Sequence, residues 1–287
     1  MEYVTIGLCV KNSEKTIKRA LASIVNQKYP KELIQLSVVD GCSEDQTIPL
    51  LNSIIPTTGL HVDVYSDDGR GLGAARQIVI NNAKGEYVVF LGGDAELHHD
   101  YIRKQVEFMN RNPEVGIVAG KSMLVRGNLL STVWSLRNFV VEFGFDAITF
   151  RLDAVREVGG FDIKIKGASE DKDLMLRIEA RGWKILVNRE AKFFHYGRMN
   201  LRTFWNEQSW YGYGNHYLYN KHKSVSPLWR NFPIGSFRHG LKLALKAYSL
   251  TNQKASFCLP LQMVFANVAW WFGFFHGHLD GYGHLIN

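Results

Sequence analysis

Five short strand candidates, at residues 4–10, 34–39, 61–65, 87–91 and 115–119, alternate with segments whose apolar residues recur at helical spacing. Ile17, Ala20, Leu21 and Ile24 share one helical face, Ile102, Val106 and Met109 share another, and a helix is expected over about 73–83. Asn12 and Ser13 offer capping side chains to the first helix, Pro30 marks its end, and Ser43, Glu44 and Asp45 read as the polar opening of the next. This alternation leaves few folds open. It implies an α/β chain with a mainly parallel central sheet flanked by helices, because parallel neighbours need crossovers long enough to hold a helix.

The acids fall where such a sheet binds ligands, beyond the carboxyl ends of its strands. Asp40, Asp67, Asp68, Asp94 and Glu96 all stand at the carboxyl ends of strand candidates. After the run at 87–91 come Gly92 and Gly93, which let a ligand approach the backbone, then Asp94-Ala95-Glu96, with His98, His99 and Asp100 close behind. Two carboxylates in this spacing suit a hard divalent cation, Mg2+ or Mn2+, which would neutralise a diphosphate. A solvated turn before an acid-capped helix explains the same three residues. A competing pattern, Gly69-Arg70-Gly71-Leu72-Gly73-Ala74, satisfies GxGxxA and is followed about twenty residues later by an acid, as in dinucleotide-dependent oxidoreductases. Against it, the motif stands at the third βα turn rather than the first, and it leaves Asp40, Glu170 and Asp171 without a role.

After about residue 145 the rhythm changes to AITFR, GGFD, a helix opening near Ser169 (SEDKDLMLRI), and two short strand candidates, KILV and AKFFH. Ser169 reads as an N-cap, and the acids behind it complement the helix dipole, worth only about 0.3–1 kcal/mol each. A carboxylate held there could also take a proton from an attacking hydroxyl. His195 is either a satisfied core histidine or a metal ligand. Trp205, Gln208, Trp210, Tyr211 and Tyr213 could form a stacking surface or an ordinary core.

With 46% hydrophobic and 21% charged residues, a chain of 287 residues can bury a real core. Cys9, Cys42 and Cys258 lack any CxxC spacing, which argues for reduced thiols and against a disulfide framework or a structural zinc site. The first residues lack a secretory pattern, so the chain is expected on the cytoplasmic side. The net charge of +7 is localised: no Asp or Glu stands between Gln208 and Leu279, where Lys221, Lys223, Arg230, Arg238, Lys242, Lys246 and Lys254 lie. Residues 255–279 carry no charged side chain and exceed the roughly 20 residues needed to cross a bilayer. Pro260, Gln262, Asn267, His276 and His278 make that stretch a poor spanning helix. Upstream, Phe237, Leu241, Leu245 and Tyr248 share one helical face and Arg238, Lys242 and Lys246 another, the pattern of a helix lying in an anionic membrane interface. A pair of packed amphipathic and buried helices has the same periodicity. Nucleic acid is not expected as a partner, since the basic residues accompany long apolar runs and no recognised binding module. The expected organisation is a catalytic domain over 1–225, with halves 1–120 and 121–225, and a membrane-association segment over 226–287.

Taken in order, KNSEKTIKRALASIVNQKYP, VVDGCSEDQT, GRGLGAARQIVINNAKGEYVVFLGGDAEL, GGFD, SEDKDL and FFH resemble the family 2 glycosyltransferases of GT-A fold, over roughly residues 3–200. The resemblance implies an inverting, metal-dependent transfer of sugar from a nucleoside-diphosphate sugar to a hydroxyl of a lipid-linked or glycan acceptor. By it, Asp40 contacts the base, Asn12 and Glu14 lie beside the nucleotide, and Arg70 lies near its ribose or phosphates. Asp94 matches the last Asp of the family's DxD and binds the metal, with Glu96 and His195 as further ligands. Asp171 is the catalytic base and Glu170 its neighbour. Two departures stand out: Gly92 replaces the first Asp of DxD, and Cys9-Val10-Lys11 replaces the usual Pro-Thr-Tyr. The first motivates an alternative, a catalytically weakened relative that binds nucleotide or glycan at a membrane.

Overall fold

The computed structural model describes residues 2–142, 146–197, 200–222 and 232–283. Its contacts divide the chain into two compact units, one formed by Met1–Met123, Glu142–Lys164 and Glu170–His195, the other by Leu124–Val141, Ile165–Ser169 and Tyr196–Asn287. The boundary expected at 225/226 lies outside the described residues.

The first unit holds an eight-stranded sheet in the order β3-β2-β1-β4-β7-β6-β8-β5. Its strands are β1 (Val4–Val10), β2 (Ile34–Asp40), β3 (His61–Ser66), β4 (Tyr87–Gly92), β5 (Ala95–Leu97), β6 (Val115–Met123), β7 (Ala147–Arg151) and β8 (Lys184–His195). β1 pairs in parallel with β2 on one side and β4 on the other, whereas β7 runs antiparallel to both β4 and β6. The apolar runs alternate between two faces. Val4, Ile6, Leu8, Tyr87, Val89 and Leu91 enter one core with α1 (Ile17–Val25), α2 (Thr47–Ile54) and α4 (Tyr101–Arg111). Val88 and Phe90 enter a second core with α3 (Leu72–Asn82), α6 (Leu152–Glu157) and α7 (Glu170–Ala180). Covering both faces explains why the strand sequences read as continuous apolar runs, each fully buried Leu or Ile contributing about 1.5–3 kcal/mol.

Three local expectations are corrected. KILV and AKFFH belong to one twelve-residue strand, β8, because its pairing with β6 resumes, shifted by three residues, after an irregularity between Gly120 and Lys121. α1 begins at Ile17, after Thr16, and Asn12 is no cap: its φ of 49° puts it in a left-handed turn. Ser169 has φ 89°, outside the extended region a cap residue occupies.

The second unit is helical: α5 (Leu129–Val141), α8 (Leu201–Lys221), α9 (Pro233–Thr251) and α10 (Leu259–Leu279). α8 and α10 meet backbone to backbone. A methyl group on Gly212 would overlap the Trp270 carbonyl, and one on Gly273 would overlap the Ser209 carbonyl, so only glycine allows the crossing.

Candidate active site

β1, β2 and β4 end side by side, and the loops that follow them form one rim. Asn12 Oδ1 accepts from Glu44 N–H (2.9 Å), and Asn12 N–H donates to Ser43 Oγ (2.8 Å). Glu14 Oε2 accepts from Gln46 N–H (3.1 Å). Both residues therefore tie the β1–α1 loop to the β2–α2 loop. Asp40, the last residue of β2, is buried; its Oδ2 accepts from Ser43 N–H (3.0 Å), and its Oδ1 has no hydrogen-bond partner among the described residues. A buried acceptor left so costs roughly 1–3 kcal/mol, which a donor on a ligand would recover. Asp67 is spent on its own turn, accepting from Gly69 and Gly71 N–H at 2.8 and 3.0 Å. Arg70 Nε donates to the Asp67 carbonyl (2.9 Å), leaving the guanidinium end at the surface near Asp68.

Beyond β4, Asp94 and His195 are brought together by the pairing of β5 with β8, in which Ala95 stands opposite His195. Asp94 Oδ1 lies 3.3 Å from His195 Nε2, while Asp146 Oδ2 approaches Nδ1 at 2.8 Å. Burial disfavours charge on this imidazole, yet the carboxylates of Asp146 and Asp94 outweigh it and hold its pKa well above the ordinary value. Sequence reasoning missed Asp146. A Cβ at Gly92 would stand 3.1 Å from Asp94 Oδ1, so the missing side chain leaves that carboxylate its room. Glu96 is not brought to this group; its carboxylate lies 3.8 Å from Arg19 Nε of α1. His98, His99 and Asp100 make a separate cluster, in which Asp100 also pairs with Arg103 at 3.0 Å.

Two donors on one octahedral ion with bonds of about 2.1 Å stand about 3 Å apart. The 3.3 Å between Asp94 Oδ1 and His195 Nε2 matches that spacing, and a carboxylate with an imidazole backed by a second carboxylate is an established kind of ligand set, so these residues fit a divalent cation.

At the start of α7, Glu170 is buried and Asp171 lies beside it. Arg76 of α3, also missed from the sequence, reaches both: Nη1 stands 2.7 Å from Glu170 Oε1 and 3.7 Å from Asp171 Oδ2, its guanidinium over the rings of Phe90 and Phe161. Burial, opposed by Arg76 and aided by Asp171, raises the Glu170 pKa to about 7. Asp173 is structural, paired with Arg177 at 2.7 Å, and Arg177 also binds the carbonyls of Val158 and Gly160. The aromatic candidates belong to the helical unit. Trp205 packs on Phe265 and Phe272, Tyr213 stacks on Tyr282, Gln208 is buried, and Trp210 and Tyr211 remain exposed.

A mostly parallel sheet covered on both faces, with acids, an imidazole and an arginine beyond its strand ends, defines the GT-A class of α/β folds. A family model described as Glycosyl transferase family 2 matches residues 5–156, more than half of the chain, and one described as Glycosyl transferase family group 2 matches residues 87–277. The chain belongs to glycosyltransferase family 2, which displaces the dinucleotide reading of the Gly-rich turn. It is 31% identical over 112 residues to an uncharacterised glycosyltransferase of Haemophilus influenzae, covering 39% of this chain and 44% of that one. It is 29% identical over 117 residues to the poly(ribitol-phosphate) beta-N-acetylglucosaminyltransferase TarS of Staphylococcus aureus, covering 40% and 20%. These matches span less than half the length of those relatives. A Methanococcus voltae enzyme, "Dolichyl N-acetyl-alpha-D-glucosaminyl phosphate 3-beta-D-2,3-diacetamido-2,3-dideoxy-beta-D-glucuronosyltransferase", is 22% identical over 232 residues, covering 74% and 72%. Among solved structures, mannosyltransferase PcManGT from Pyrobaculum calidifontis, in complex with GDP-Man and Mn2+, superposes with a TM-score of 0.71 at 16% identity, covering 97% of this chain and 88% of that one. TarS 1–349 in complex with UDP-GlcNAc gives 0.52 at 16% identity, covering 98% and 92%. Both likenesses concern the fold.

Proposed function

We propose that this chain is an inverting, metal-assisted glycosyltransferase that moves a sugar from a nucleoside-diphosphate sugar to a hydroxyl of a lipid-linked or glycan acceptor at the cytoplasmic face of a membrane. The observation that carries the reading is the rim itself: the unpartnered buried acceptor of Asp40 and the imidazole-backed carboxylate of Asp94 stand at the ends of β2 and β4, on either side of β1, a span suited to a nucleoside diphosphate. Asp40 Oδ1 accepts an N–H of the base, while Asn12 and Glu14 keep the two loops closed together. Arg70 extends toward the ribose or phosphates. Asp94 and His195 would hold Mg2+ or Mn2+, and Asp146 fixes the imidazole from behind. When bound, the ion supplies positive charge against the diphosphate that leaves.

Asp171 takes the proton of the acceptor hydroxyl as that oxygen attacks the anomeric carbon from the face opposite the leaving group. The oxygen–carbon bond forms, the carbon–phosphate oxygen bond breaks, and the sugar inverts. Arg76 holds Asp171 and Glu170 in place for this step. The names of two relatives, a dolichyl-linked and a poly(ribitol-phosphate) transferase, support an acceptor carried on a lipid or a polymer. The GDP-Man and Mn2+ of the structural neighbour support the donor class and the ion. No nucleic acid enters the reaction. Gly92, together with the turn of Glu96 toward Arg19, favours a second reading, a weakened relative that binds without turnover. Calorimetric titration with UDP and GDP, with and without Mn2+, on the wild type and Asp94→Ala tests the first reading. Metal-dependent binding lost in the variant is the expected result; no binding of either nucleotide overturns it. Binding without transfer across a donor panel selects the second reading.

A further inference from the structure

Among the described residues, the two C-terminal helices present a large exposed apolar surface. On α10 the outward residues are Leu261, Val268, Phe272, Phe275 and Leu279, spaced by seven, four, three and four along one helical stripe. Leu261, Phe272, Phe275 and Leu279 are 68, 59, 58 and 84% exposed. On α9, Ile234, Phe237, Leu241 and Leu245 make a second exposed stripe. The stripes join through rings: exposed Phe232 lies 5.5 Å from Trp271, which lies 5.3 Å from Phe275, and at the other end exposed Phe257 lies 5.1 Å from Tyr248. Arg238, Lys242 and Lys246 stand exposed on the same α9, and no acid occurs from Gln208 to Leu279.

We infer that α9 and α10 dock this chain in the plane of an anionic lipid surface, with both ends of α10 on the same side of the bilayer. Charge complementarity selects the partner: beside the apolar stripes stand cations, with no acid before Asp280 at the very end of α10, and an acyl boundary beneath anionic headgroups offers both chemistries at once. Among the described residues, Lys254–Leu279 is long and apolar enough to cross a membrane, but its inward face is already committed. Gly273 and Gly212 bring α10 and α8 into backbone contact, and Gln262 Nε2 donates to the Leu130 carbonyl of α5 at 2.9 Å. A crossing α10 would either break these contacts or drag α8 into hydrocarbon, with Arg202, Asn206 and Glu207 aboard, which the membrane interior disfavours. A helix packed on one face and apolar on the other lies flat.

The inference rests on the membrane association proposed above and is tested apart from transfer. The full chain carrying a C-terminal epitope is floated with phosphatidylcholine vesicles and with vesicles containing phosphatidylglycerol, then exposed to protease from outside. The expected result is binding to the anionic vesicles, falling as salt rises, with the epitope still cleaved. Phe272→Glu with Phe275→Glu should lower binding tenfold or more, and Arg238→Glu with Lys242→Glu about tenfold, both variants keeping the wild-type circular dichroism and melting profile. An epitope protected from protease overturns in-plane docking while the membrane association stands. Binding indifferent to both double variants overturns the assigned face. Absence of binding overturns the inference and the membrane association together, and a stable dimer in light scattering would then assign the face to a second copy.

Discussion

The sheet unit and the helical unit differ in the apolar side chains they leave outside. In the sheet unit Ile6, Leu8, Leu36 and Phe150 are sealed inside, and the groups left at the rim are acids, an imidazole and arginines. The helical unit also buries Leu136, Phe204, Leu243 and Leu259, with glycines at its closest helix crossing, yet it leaves Leu, Phe and Ile of α9 and α10 outside. The difference teaches that one unit is finished as a folded object and presents chemistry, whereas the other presents the surface that folded objects normally hide.

If that division holds, substitutions in the sheet unit should stop chemistry without loosening the fold. Asp171→Asn should lower transfer by about 10²–10⁴-fold while calorimetry finds nucleotide affinity nearly unchanged; equal loss of both would remove the base assignment. Asp146→Asn should weaken Mn2+-dependent nucleotide binding about 10–100-fold, because the imidazole loses its support, with metal-free binding untouched. A uniform loss with and without Mn2+ would make Asp146 a merely structural residue.

The helical unit should answer in the other sense. Gly212→Ala pushes a methyl group into the Trp270 carbonyl and should cost about 1–3 kcal/mol in a denaturation experiment, leaving UDP or GDP binding intact. The smallest effect returns to the sheet unit. Burial raises the Glu170 pKa from 4.5 to about 7, so its contribution to stability is full below pH 4.5 and is lost as pH rises to 7. Glu170→Gln cannot ionise, so its stability should gain on the wild type between those pH values and run parallel above them. A constant difference across that range, in melts at several pH values, would place the charge elsewhere.

How much of this was legible depended on range. Strands such as β1 and β4 announced themselves because both faces are covered, so nearly every residue must be apolar. The rim followed, since Asp40 closes β2 and Asp94 stands just past β4. Asp146 and Arg76 did not show, for a physical reason. Each acts across a pairing distant in sequence, β7 against β4 and Arg76 against Glu170 ninety-four residues on, and neither leaves a local period. An arginine set among Gly and Ala on the face of α3 is the only hint Arg76 offered. Glu96 misled for a related reason: a spacing of two guarantees a shared face only inside a strand, and Asp94 precedes β5. The glycines of α8 and α10 were visible as letters, but their meaning needed the helix crossing.

The reversal of β7 carries one more consequence. Because β7 runs against β4, Leu91 near the end of one stands opposite Ala147 at the start of the other, and Gly92 N–H donates to the Asp146 carbonyl at 3.1 Å. Had the two strands run the same way, the five residues of β7 would have carried Asp146 about 17 Å off, to the far margin of the sheet. The histidine's support therefore depends on chain direction as much as on chemistry. A shortened relative ending before residue 146 would keep Asp40 and Asp94 at their strand ends and lose His195 together with its support.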